Sequence, residues 1–339
     1  YGQLGFQSVV WTQLGVKIGL WVAYALLMAL TGFVSAWLAI RARPDSADGS
    51  TIRINGDVVE VGKSVSSKTA RRVAVVISLI VGVIFGSQFN ANWSEILLMF
   101  NAQSFGTTDP QFGLDNGFYV FVLPGLKLVL AAVAMLLGVG LVFSVVTHVL
   151  MGGIRITMPV NGRGLFSITK RCRRQLGIWL MLNMFAWAVR QMIGVFDQLT
   201  VQGSRITGAS YTAVHANIPV TFIMAVLTAI LGVVLGIWLM RSHTLEGQAS
   251  IGVRASAALK AWRVPVTSIA VVVVVGLVLT VAWPVLLQRF RVNPNAQEME
   301  STYIQRNIDA TRAAYGLDKL KTEQYKVTDK GEQGALAKE

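Results

Sequence analysis

The sequence predicts an all-α polytopic membrane protein, and three observations predict it. Only 14% of the 339 residues are charged against 53% hydrophobic, with a mean hydropathy of +0.56, whereas a soluble domain carries about 25% charged residues. Six apolar runs approach or exceed the ~20 residues needed to cross about 30 Å of hydrocarbon. Lys and Arg, which give a formal charge of +13, fall mainly in alternate loops between those runs. They do not gather on one polar surface, which argues against a nucleic-acid partner.

The runs cover residues 18–40, 73–89, 126–151, 176–196, 220–240 and 266–287, the second being near the lower limit of length. Together, residues 1–287 form a transmembrane bundle, and 288–339 form a juxtamembrane segment leading into an outer domain. Loop 41–72 carries Arg41, Arg43, Arg53, Lys63, Lys68, Arg71 and Arg72. The loop after the third run carries Arg155, Arg163, Lys170, Arg171, Arg173 and Arg174, and the loop after the fifth Arg241, Arg254, Lys260 and Arg263. Between them, 90–125 has no basic residue and 197–219 only Arg205. The positive-inside rule then places the three basic loops in the cytoplasm and both ends of the chain outside. The lone Cys172 reads as a reduced cytosolic thiol and excludes an internal disulfide framework.

Within loop 41–72, TIRINGDVVEVGK alternates on both sides of Asn55-Gly56, the pattern of a β-hairpin. Along the apolar runs, small residues recur four apart at Gly15/Gly19, Gly82/Gly86, Ala134/Gly138 and Gly232/Gly236. Such pairs let helix backbones approach closely in lipid. Polar residues at membrane depth are functional suspects: here Asn183, Arg190, Gln191 and Lys127, with His148 nearer a cytoplasmic end. No run has an Asp or Glu in its middle, which counts against proton or cation transport.

Three polar segments emerge on the outer side: TDPQFGLDNGFYVFVLPG (108–125), TGASYTAVHANIP (207–219) and QRFRVNPNAQEMESTYIQRNIDATRAAYGLD (288–318). Their aromatics, Asn, Asp and Pro suggest ordered structure. Asp109, Asp115, Tyr119, Tyr211, His215, Asn295, Tyr303, Ile308 and Tyr315 are the candidate assembly surface. In the third segment, Thr302 and Gln305 fit a capping box, Ile304, Ile308, Thr311 and Tyr315 form one stripe, and Gly316 marks the stop. Asp109, Asp115, Glu298 and Glu300 could together meet calcium, but the first two lack the alternate spacing of a calcium loop and read as turn residues. His215 reads as a structural, hydrogen-bonded histidine. There is no HExxH, G-x-S-x-G, P-loop or CxxC, so no catalytic, cofactor or metal residue is assigned.

Read together, those three segments, with the opening YGQLGFQSVVWT and the IRARP after the first run, resemble the bacterial uncharacterised protein family 0182 over nearly the whole chain. The chain departs from the family pattern at Ala296-Gln297 and in the hairpin-like TIRINGDVVEVG. The resemblance implies a large protein with about seven membrane helices, of which this chain lacks the first, and a long extracytoplasmic region beginning in its tail. It also implies a membrane-anchored PDZ and Lon-like protease as a partner.

The function expected is a membrane anchor or scaffold that assembles the outer domain with itself or with envelope proteins, in contact with membrane lipids. The alternatives are a transporter or channel lined by Asn183, Arg190, Gln191 and Lys127, and an enzyme acting through an outer domain beyond this chain.

Overall fold

The computed structural model describes residues 7–43, 50–54, 57–61, 66–156, 166–201, 207–242, 251–317 and 320. Its helices are α1 (Gln7–Arg41), α2 (Ser67–Asn90), the short α3 (Trp93–Phe100), α4 (Leu123–Leu150), α5 (Lys170–Gly194), α6 (Ile218–Arg241), α7 (Ile251–Leu277), α8 (Trp283–Leu286) and α9 (Ala296–Ala314). Among the described residues, six helical stretches are long and apolar enough to span: Gln7–Arg41, Ser67–Ser87, Phe118–Leu150, Lys170–Leu199, Ala213–Arg241 and Trp262–Val292. The chain is therefore an all-α polytopic membrane protein. Every span begins before the run predicted for it, because polar or aromatic first turns such as KRCRRQ and FYVFV are helical without being uniformly apolar.

Proline marks the starts of α4, α6 and α8 and the turn before α9. Pro124, Pro219, Pro284 and Pro294 each follow a π-helical turn: Phe118–Val122, Ala213–Asn217, Val278–Ala282 and Leu287–Val292. In all four, the residue before the proline donates its N–H five residues back: Leu123 to Phe118, Ile218 to Ala213, Trp283 to Val278 and Asn293 to Gln288. Proline has no N–H and its ring crowds the preceding turn, so widening that turn relieves the clash and keeps a bond in the ladder.

The long helices pack mainly as a row, in the order α2–α1–α4–α5–α6–α7. Glycine sets the two closest crossings. A Cβ on Gly82 would stand 2.5 Å from the Ala25 carbonyl, and one on Gly86 2.9 Å from the Ala25 Cβ, so α2 lies against α1 there. Gly232 and Gly236 likewise sit against Met184 and Met181, bringing α6 onto α5. Gly138 makes only ordinary contact with Asn183, and Gly15 and Gly19 face nothing within 4 Å, so that pair seats no helix among the described residues.

The predicted hairpin forms: β1 (Ser50–Ile54) pairs antiparallel with β2 (Asp57–Val61), Ile54 opposite Asp57. Its turn, Asn55-Gly56, lies outside the described residues. A second pair, β3 (Ile154–Ile156) with β4 (Phe166–Ile168), was not foreseen. It packs Ile154 and Ile168 with Cys172 and Leu176 at the start of α5.

Candidate functional site

Two aspartates build the loop before α4. Asp109 Oδ1 accepts the N–H groups of Gln111 and Phe112, both at 2.7 Å, while Oδ2 accepts Leu114 N–H at 3.0 Å and the Tyr119 hydroxyl at 2.7 Å. Asp115 Oδ2 accepts the Ser104 hydroxyl at 2.5 Å and Gly106 N–H at 3.1 Å, and Oδ1 takes Phe105 N–H at 3.0 Å and Gly117 N–H at 2.7 Å. Both carboxylates are therefore occupied with turn donors. Burial pushes the Asp109 carboxyl up, but the bonds from Phe112, Tyr119, Gln111 and Leu114 outweigh it and hold the group below its ordinary value. Asp115 is held at about 2, first by the Ser104 hydroxyl and then by Phe105 and Gly117. Among the described residues no three His, Cys, Asp or Glu side chains gather to hold a metal ion.

The loop is seated by aromatic packing. Phe112, Phe118 and Tyr119 surround Phe196 at the end of α5, with ring centroids 5.0, 5.3 and 6.3 Å away. Beside them Lys127 of α4 makes a two-pronged ion pair with Asp197, 2.8 and 2.9 Å. Lys127 thus closes a contact between spans. Lys127 lies near the end of its span, as its sequence position predicts, while its partner Asp197 follows α5, 70 residues away, and carries no local signal of the pair.

Against this cap lies α9, and here the three polar segments meet. Glu300, 7% exposed, accepts the N–H of Tyr211 at 3.1 Å. Tyr303 meets the Tyr211 ring edge-on at 6.2 Å, and His215 stacks on Tyr211 at 4.0 Å, its Nδ1 lying 3.1 Å from the Tyr211 carbonyl. Asn307 donates to the Thr207 carbonyl at 2.7 Å, and Arg306 donates to Gln111 Oε1 at 3.5 Å while its guanidinium lies 5.5 Å from the Tyr303 ring. The Thr212 hydroxyl bonds Gln288, which in turn donates to Asn293 at 3.0 Å. Burial raises the Tyr303 hydroxyl above its ordinary value.

Two details of α9 differ from the sequence reading. The helix starts at Ala296 after Asn295, so Thr302 is an interior residue and no capping box forms there; Asn295 makes no side-chain cap. Gly316, at φ 67°, does end the helix. The proposed stripe is mostly the free face: Ile308 is 42% and Tyr315 78% exposed. The face that packs instead carries Glu300, Tyr303 and Asn307, held by hydrogen bonds and one ring contact.

The intramembrane suspects are scattered. Asn183 Nδ2 donates to the Leu137 carbonyl of α4 at 3.1 Å and to Trp179 at 2.8 Å. Gln191 donates to Thr228 of α6 at 3.2 Å, and Arg190 is exposed. A further polar knot joins α1, α4 and α5: Gln175 Nε2 donates to the Ser35 carbonyl at 2.9 Å and the Ser144 hydroxyl at 2.8 Å. Because a carbonyl only accepts, Gln175 Oε1 must face His148 Nε2 at 3.0 Å, so that ring nitrogen donates.

A row of spanning helices with an ordered polar cap at one side defines a polytopic helical membrane protein. The profile of the Uncharacterised protein family (UPF0182) matches residues 1–339, and the chain belongs to that family. A UPF0182 protein of Bifidobacterium adolescentis is 77% identical over 99% of the chain, and one of Kocuria rhizophila 35% identical over 99%. A third, from Corynebacterium diphtheriae, is 32% identical over 94%. The chain spans 30–31% of the length of these curated relatives. No solved structure matches it.

Proposed function

We propose that this chain is the membrane part of a scaffold, with its basic loops in the cytoplasm of a bacterial cell and the α9 cap outside. The observation that carries the reading is the seating of α9: one face is fixed to the other two polar segments by hydrogen bonds and a ring contact, and the opposite face, with Ile308 and Tyr315, is exposed. A helix held rigidly on one side and open on the other suits an attachment point, here for the rest of the polypeptide and for envelope proteins or a second copy. Asn183, bonded to a neighbouring backbone, supports a packed interior over a conducting path.

The test is made on the full-length protein in intact cells. Thr302→Cys, on the exposed face of α9, should react with a membrane-impermeant maleimide, and Glu300→Ala combined with Tyr303→Ala should release co-extracted envelope proteins while leaving membrane insertion intact. A Thr302→Cys protein labelled only after lysis, or a double variant that keeps every co-extracted protein, would overturn the reading.

A further inference from the structure

A cavity of about 350 Å³ lies between the loop before α4, the end of α5 and α9, lined among others by Gln111, Val120, Leu199, Tyr303, Arg306 and Asn307. It brings together three donors from two separated parts of the chain: Tyr303 and Arg306, three apart on α9, and Gln111 of the loop before α4. Arg306 has no carboxylate within 4 Å among the described residues, and its one side-chain hydrogen bond is the 3.5 Å contact with the neutral Gln111. The Tyr303 hydroxyl and the Gln111 amide nitrogen have no acceptor among the described residues. Asp109 also lines the cavity, but each of its oxygens already accepts two donors, which spreads its charge into the loop. Asp197, two residues before Leu199, is neutralised by Lys127.

From this arrangement we infer that the cavity binds a phosphate group. A half-buried guanidinium lacking an ion pair is the side chain best suited to an oxyanion, and its planar fork takes two oxygens at once. Two neutral donors beside it match the further oxygens of a tetrahedral phosphate. Val120 and Leu199 belong to stretches that span the membrane, so the site sits where phospholipid headgroups lie. The phosphate therefore comes from a lipid headgroup or from a soluble phosphate ester, and the chemistry at Arg306 is the same for both. This inference stands apart from the scaffold reading, since the probe is added directly.

The experiment uses full-length protein, depleted of lipid in a maltoside detergent, titrated with glycerol 3-phosphate and, separately, with dihexanoyl phosphatidylglycerol. At least one should bind saturably. Arg306→Gln should weaken binding by roughly tenfold to a hundredfold, and Tyr303→Phe, which keeps the ring contact with Tyr211, by roughly threefold to tenfold. Arg289→Gln, exposed and outside the cavity, should change nothing. Binding of glycerol phosphate marks a soluble ester as sufficient; binding of the lipid alone marks a headgroup. No saturable binding of either probe, or equal affinity in Tyr303→Phe and wild type, would overturn the inference, and the second result holds even if Arg306→Gln fails to fold.

Discussion

The Glu300 carboxylate accepts the backbone N–H of Tyr211 at 3.1 Å across 89 residues of sequence. This bond ties the helix after the last span to the turn that opens α6, and the Tyr211–Tyr303 contact lies directly beside it. Removing a buried charged acceptor strands its donor and costs about 1.5–3 kcal/mol. In Glu300→Ala, hydrogen exchange in residues 296–314 should therefore accelerate by roughly tenfold or more, while exchange in α4 and α5 stays as it was. Uniform acceleration through the bundle would mean that Glu300 supports the whole fold.

The cap loop should respond to acid. Asp109 and Asp115 both sit below the ordinary 3.8, Asp115 at about 2. A carboxyl depressed in the folded state contributes its stabilisation above the unfolded value and loses it as pH falls through the folded one. Pepsin cutting at Phe105 or Phe112 should be slow near pH 4 and appear as pH falls toward 2. Equal cutting at both pH values would show that the aspartates do not hold the loop. At neutral pH Asp109→Asn should already loosen it by about 1–3 kcal/mol, since in either orientation its NH₂ would confront a backbone N–H, that of Leu114 or those of Gln111 and Phe112.

Glycines predicted alike should behave unlike. Gly82→Ala drives a methyl to 2.5 Å from the Ala25 carbonyl, an overpacking cost of about 1–3 kcal/mol. Gly15→Ala meets nothing within 4 Å and should leave the melting midpoint of the detergent-solubilised protein unchanged or slightly raised. Identical shifts in both variants would contradict the packing of α1 on α2.

Asn183→Leu should fold and insert normally. Interhelical hydrogen bonds in membranes average about 0.6 kcal/mol, so losing the bond to Leu137 should lower the midpoint only slightly. A collapse of stability, or the loss of a solute flux measured in reconstituted vesicles, would show that Asn183 does more than join α5 to α4.

How much of this was legible from sequence depends on the force involved. Burial in lipid is written locally, so all six spans were readable, and Asn55-Gly56 announced β1 and β2. The proline-linked π turns at 118–122, 213–217 and 287–292 extended three of the helical stretches into residues that looked like loop. Of the docked face of α9 only Tyr303 is among the candidate assembly residues; Glu300 and Asn307 are polar and bond partners 89 and 100 residues away, so apolar periodicity gives no sign of them. Periodicity of apolar residues selected Ile308 and Tyr315 instead, which face outward. The Lys127–Asp197 pair was hidden for the same reason, being separated by 70 residues.

The most direct test of the scaffold account is native mass spectrometry of the full-length protein, extracted gently from its own membrane, beside the Glu300→Ala/Tyr303→Ala variant. The account predicts a stoichiometric protein partner, or a defined homo-oligomer, on the wild type and its loss from the inserted variant. A wild-type protein that leaves the membrane as a lone monomer, or a variant that keeps the same complement, would contradict it.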